Sequence, residues 1–241
     1  MLNVLLIEAT NLELPHIYEL YCMSNIGILG GTFNPIHLGH TLPAKVVAEH
    51  LSLDEVLFIP ANTPPHKASP NVNAMQRAAM VNLACEAEPI FGCDERELNR
   101  DGYSYTVDTI KELSENYPKA NLYFIMGLDS LLTFTSWFKY QEILSCCHLV
   151  VNTRPNYQLS NVNIATKSLL KKHQVNDAEV LKSMSSGGIL LLPSTLPTHE
   201  KNLDINISSS EIRQRIMKNE DCQSLLSANV LAFINKNKLY R

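Results

Sequence analysis

The chain has 241 residues, 45% of them hydrophobic and 18% charged, and its 20 basic and 24 acidic side chains leave a net charge of −4. This is globular composition, which excludes disordered and collagen-like chains, and the absence of a basic excess argues against a nucleic-acid partner. No apolar run nears the roughly 18 residues that a membrane span requires, so no membrane association is expected.

The first 22 residues carry no Lys or Arg and are interrupted by Glu8, Asn11 and Glu13. That fails the pattern of a secretion signal, and the expected location is the cytoplasm. Met23 stands just ahead of the first strand-like run, so residues 1–22 read as an N-terminal extension and 23–241 as a single domain. Of six cysteines, none forms a C-x-x-C pair, which favours buried thiols over a disulfide or zinc framework.

Ile26 to Leu29 is the first predicted strand, closed by Gly30-Gly31. Ala44, Val47, Ala48 and Leu51 then recur at helical spacing. Val56 to Ile59 predicts a second strand ending at Pro60, and Met75 to Glu86 a helix. Tyr105 to Asn116 is a further helix, with Val107, Ile110 and Leu113 on one face. Strands follow at Leu122–Met126, His148–Val151 and Ile189–Leu192. Residues 152–188 show the least regular pattern. Two helices close the chain, one marked by Ile212 and Ile216, the other by Leu226, Val230 and Phe233. Short apolar strands alternating with helices predict an α/β fold: a Rossmann-like, doubly wound parallel sheet with helices on both faces. Ligands of such sheets sit beyond the carboxyl ends of the strands, so the residues after each strand are the ones to read.

After the first strand comes Gly30-Gly31-Thr32-Phe33-Asn34-Pro35-Ile36-His37-Leu38-Gly39-His40. Paired glycines let backbone N–H groups approach an anion, and the following helix adds the positive end of its dipole. His37 and His40, three apart, can each donate a ring N–H to phosphate, and a protonated ring adds charge. Two histidines at this spacing also suit zinc, but no third ligand has supporting spacing. Near the C-terminus, Ser208 and Glu211 have capping-box spacing at the start of a helix that carries Arg213. Its first-turn amides, serine hydroxyls and arginine can converge on phosphate. Taken alone, the segment reads more readily as a well-capped helix with a surface arginine. Asp129, after the third long strand, can accept from ribose hydroxyls. Trp137, the only tryptophan, is either a core anchor or a stacking platform for a planar ring. His66 and Thr106 can donate to a carboxylate or phosphate.

Gly31, Phe33, Pro35, His37, Gly39 and His40 complete the G-x-F-x-P-x-H-x-G-H signature of the nucleotidyltransferase superfamily, which the chain therefore resembles. Residues 207–213 match its I-S-S-T-x-I-R motif, with Ser210 in place of Thr. The resemblance implies the nucleotidyltransferase fold and catalytic roles for His37, His40 and Arg213. It further implies ATP contacts from Gly31, Thr32, Phe33, Gly127, Asp129, Arg154, Ser208 and Ser209.

Further strings narrow the acceptor: Pro60 to Lys67, Asp94 to Glu97 ahead of Ser104-Tyr105-Thr106, Gly127 to Leu131, Trp137, Arg154-Pro155 and the terminal Leu239-Tyr240-Arg241. Across nearly all of 26–241 they resemble the bacterial nicotinate-nucleotide adenylyltransferase family. That likeness implies transfer of an adenylyl group from ATP to nicotinate mononucleotide in NAD biosynthesis. Mg2+ would be held mainly by the substrate phosphates. Trp137 would stack on the nicotinate ring, and backbone amides near Thr106 and Phe138 would meet its carboxylate. His66 would lie beside the mononucleotide, with Lys67 adding charge. Phe138 and Ala61 stand where some members carry Tyr and Asn, which leaves only backbone roles at those two positions. The rival readings are an adenylyltransferase for the amide mononucleotide or for phosphopantetheine, and a non-catalytic nucleotide sensor.

Overall fold

The computed structural model describes residues 24–62, 72–153, 162–193 and 207–241. The extension 1–22, His66, Lys67 and Arg154 lie outside the described residues. Seven strands form one sheet in the order β3-β2-β1-β4-β5-β7-β6, every neighbouring pair parallel. They are β1 (Asn25–Gly31), β2 (Glu55–Pro60), β3 (Phe91–Cys93), β4 (Asn121–Gly127), β5 (His148–Thr153), β6 (Gln174–Val175) and β7 (Ile189–Pro193).

Both faces of each long strand are apolar, so side chains alternate between two cores rather than between core and water. Along β4, Tyr123 and Ile125 enter one core, and Leu122, Phe124 and Met126 the other. The first core is covered by α1 (Leu38–Leu51), α2 (Ala74–Cys85), α8 (Ser209–Met217) and α9 (Ala228–Lys236), with Leu181 from α7 (Ala178–Ser183). The second is covered by α3 (Thr106–Asn116), α4 (Leu128–Phe134), α5 (Tyr140–Cys146) and α6 (Ile164–His173). Helices on both faces match the doubly wound expectation.

Three expectations need adjustment. The edge strands β3 and β6, of three and two residues, were not expected. Residues 152–188 hold α6, α7 and β6, capped by Asn163 and Asp177, whose side chains accept from Thr166 and Val180 N–H. In α9 it is Ile234, not Phe233, that is fully buried. No described helix is long and apolar enough to cross a membrane.

The sheet order places the site. From β1 the chain winds outward through β2 and β3, then returns to lay β4 on the other side of β1. The strand order thus reverses between β1 and β4, and the loops after them diverge to opposite faces, opening a crevice at their carboxyl ends.

Candidate active site

A cavity of about 850 Å³ occupies that crevice. The end of β1 and its loop, Leu29–Asn34, form one wall, and the end of β4 with the start of α4, Phe124–Ser130, the other. The start of α1 and Ile207–Ser210 with Arg213 close it from above. Two segments some 170 residues apart in sequence are thereby brought together, because the Ser209 hydroxyl donates to the Pro35 carbonyl (2.9 Å, separation 174). Arg213 Nη1 donates to the Asn34 carbonyl (2.8 Å), and the Tyr240 hydroxyl to Asn34 Oδ1 (2.8 Å).

His37 is the N-cap of α1, in extended conformation, and His40 lies one turn on. Their ring centroids are 3.8 Å apart. The His37 backbone N–H donates to His40 Nδ1 (3.3 Å). That bond assigns the neutral tautomer of His40, with its proton on Nε2, as a hydrogen-bond donor. Phe33 supports the pair from beneath: it is 2% exposed and meets the His40 ring edge-on at 5.2 Å. Only its backbone is therefore suited to a ligand. The glycine between the histidines has a steric reason. A Cβ on Gly39 would lie 3.0 Å from His37 Cε1 and Nδ1 and 3.3 Å from Ile207 Cβ, so a side chain there would displace the His37 ring or the second signature.

Burial, then the neighbouring His40, lowers the His37 pKa from 6.5 to about 2. The uncharged ring is therefore favoured here at neutral pH, and it retains one N–H donor. Its buried Nδ1 has no hydrogen-bond partner among the described residues. An orphaned ring nitrogen in a cavity-lining side chain points to a ligand role. Positive charge at this end comes from Arg213. Both its partners are neutral oxygens, the Asn34 carbonyl and Ser210 Oγ, so no carboxylate among them offsets the guanidinium.

The expected capping box at α8 forms only in part. Ser208 Oγ accepts from the Glu211 N–H (3.1 Å), but the Glu211 carboxylate pairs with Arg215 (2.7 Å) instead of returning to Ser208. The ion pair one turn along wins because it lets a carboxylate keep a charged partner.

Trp137 is half-buried. Its ring rests on Phe124 (6.1 Å) and Phe134 (5.5 Å), its Nε1 donates to Thr133 Oγ1 (3.4 Å), and it lines the cavity. It is thus packed on one side and faces the cavity. Thr106 opens α3, and Phe138 is 53% exposed with its ring 4.9 Å from that of Tyr105. Neither lines the 850 Å³ cavity. Asp129 is exposed at its rim, and a Cβ on Gly127 would meet nothing within 4 Å.

The sequence reading missed Asn152, near the end of β5, whose buried Oδ1 lacks a partner among the described residues and which lines the cavity. The available signal was a polar residue directly after Leu149-Val150-Val151. Among the described residues, no three His, Cys, Asp or Glu side chains gather to hold a metal.

The model of the cytidylyltransferase-like family matches residues 28–215. A protein of Aeromonas salmonicida named probable nicotinate-nucleotide adenylyltransferase is 42% identical over 216 residues, covering 90% of this chain and 97% of the relative. The nicotinate-nucleotide adenylyltransferase of Escherichia coli O6:H1 is 40% identical over 215 residues, covering 89% and 97%. Among solved structures, Plasmodium falciparum nicotinic acid mononucleotide adenylyltransferase complexed with NaAD superposes with a TM-score of 0.66 at 19% identity, over 90% of this chain and 97% of that one. At that identity the likeness supports the fold.

Proposed function

The chain belongs to the nicotinate-nucleotide adenylyltransferase family, and from that membership we propose how its own residues perform the reaction. It transfers the adenylyl group of ATP to nicotinate mononucleotide, giving deamido-NAD and pyrophosphate, a step of NAD biosynthesis. The observation that carries the assignment of roles is the convergence of His37, His40, Ser209 and Arg213 on one cavity at the strand-order reversal.

The acceptor's 5′-phosphate attacks the α-phosphorus of ATP. A new P–O bond forms to the mononucleotide phosphate, and the bond to the β-phosphate oxygen breaks. A phosphate monoester has its second pKa near 6 and is largely dianionic at neutral pH, so no protein base is required. Catalysis is then alignment and charge stabilisation. His40 Nε2–H and the neutral His37 ring donate to the α-phosphate, where charge density shifts during transfer. Arg213 holds the leaving pyrophosphate, with the first-turn amides of α8 and Ser208 and Ser209 beside it. Gly31 and Thr32 offer backbone N–H groups. Gly127 leaves room for the adenosine, and Asp129 accepts from its ribose. Arg154 adds a further ATP contact.

On the acceptor side, Trp137 stacks on the nicotinate ring, backbone N–H groups near Thr106 and Phe138 meet its carboxylate, and His66 and Lys67 approach the phosphate. A Mg2+ ion is expected with ATP, held mainly by the substrate phosphates. Such an ion would neutralise triphosphate charge. We place the reaction in the cytoplasm and assign it to residues 23–241 as one catalytic domain.

Trp137→Ala tests this division of the site. Loss of a stacking platform costs about 1–3 kcal/mol, or roughly ten- to a hundredfold. The KM for nicotinate mononucleotide is expected to rise by that factor while the KM for ATP stays within threefold. An equal rise for both substrates, or a rise for ATP alone, contradicts the assignment.

A further inference from the structure

Arg77, on the inner face of α2, is 1% exposed. A buried cation normally sits against a carboxylate, because an unpaired charge in a core is costly. Arg77 has none among its hydrogen-bond partners in the described residues. Its Nη1 donates to the Thr32 carbonyl (2.6 Å) and its Nη2 to the Asn62 carbonyl (3.0 Å). Burial lowers its pKa, and the one counteracting influence is Tyr240, not a carboxylate.

The positions of those two carbonyls explain the arrangement. The β1–β2 ladder reaches its end where the Ala61 N–H donates to the Gly31 carbonyl (2.9 Å). The next residue of each chain, Thr32 and Asn62, is the one whose carbonyl Arg77 holds. Thr32 opens the loop that carries His37 and lines the cavity, while Asn62 lies just past the end of β2. Asn62 also reaches outward: its Nδ2 donates to the Arg100 carbonyl (3.0 Å). Arg100 Nη1 in turn donates to Thr109 Oγ1 (2.7 Å) on α3, the helix that Thr106 begins. One contiguous chain of hydrogen bonds therefore joins the loop after β1, the end of β2 and α3.

We propose that Arg77 is a positioning residue for adenylyl transfer, whose planar fork holds the Thr32 and Asn62 carbonyls and so fixes the spacing of the chain where it leaves β1 and β2. Within the reading given above, this spacing sets the in-line approach of the two phosphates. Arg77 touches neither substrate. A lysine keeps the charge but not the fixed two-pronged geometry.

The test uses the full chain with Arg77→Met and Arg77→Lys. Steady-state rates are measured with ATP and nicotinate mononucleotide varied independently, alongside calorimetric ATP binding and amide hydrogen exchange. The expected result is ATP binding near unit stoichiometry, KM values within threefold, and kcat reduced at least tenfold in both variants. Exchange is expected to accelerate locally over residues 31–37 and 61–62. A kcat within threefold of the parent, a loss confined to the KM for ATP, or unchanged exchange in those segments would each overturn the proposal. If the methionine variant does not fold, the lysine variant decides by the same criteria. A parent chain that binds ATP but does not turn over nicotinate mononucleotide would overturn the reaction instead, and the exchange result would still judge Arg77.

Discussion

His40→Ala is expected to lower kcat about 10²- to 10³-fold while leaving the fold intact. The magnitude is that of removing one preorganised donor from a site where charge develops. The fold should survive because the ring is only half-buried and packs on the cavity side, against Phe33 and His37, rather than inside either core. Substitution also removes the Nδ1 acceptor of the His37 N–H, so the α1 N-terminus loses a constraint as well as the transfer losing a donor. His40→Gln serves as the control, since it keeps a polar side chain without the imidazole Nε2–H. Steady-state kinetics and a thermal melt of each variant suffice. Turnover within a few fold of the parent, in a folded sample, contradicts the role given to His40.

Arg213→Ala is expected to reduce kcat/KM for ATP about 10²-fold, with Arg213→Lys recovering only part of the loss. Two effects combine. The variant loses a charge-assisted donor to phosphate, roughly twice as strong as a neutral one. It also loses the bond to the Asn34 carbonyl that ties α8 to the loop after β1. Lysine restores charge but cannot hold that carbonyl and a phosphate in one rigid fork. ATP titration separates the outcomes: weakened binding together with slowed turnover fits the account, and unchanged ATP affinity with unchanged kcat contradicts it.

How far the sequence carried this picture differs from element to element. The long strands were legible because each is a near-continuous apolar run closed by Gly or Pro, such as Leu122–Met126 before Gly127. Strand β6 was not, because two residues at a sheet edge leave no periodicity to detect. The helices within 152–188 were hidden by their short length and mostly exposed faces, with α7 burying Leu181 alone. The core of the candidate site was legible as spacing, since Gly39 must lie between His37 and the second signature for both to fit. The charge state of His37 was not, because its burial depends on the packing of the loop that holds it. Arg77 escaped notice for a related reason. A single arginine in a helix reads as a surface residue until the fold shows two loop carbonyls converging on it.

The most direct test of the central claim is pyrophosphate release from ATP and Mg2+, with nicotinate mononucleotide and its amide measured side by side. Release is expected with the acid form and much less with the amide, because the pocket beside Trp137 is assigned to the carboxylate. No release with the acid form, from a folded chain that binds ATP, would contradict it.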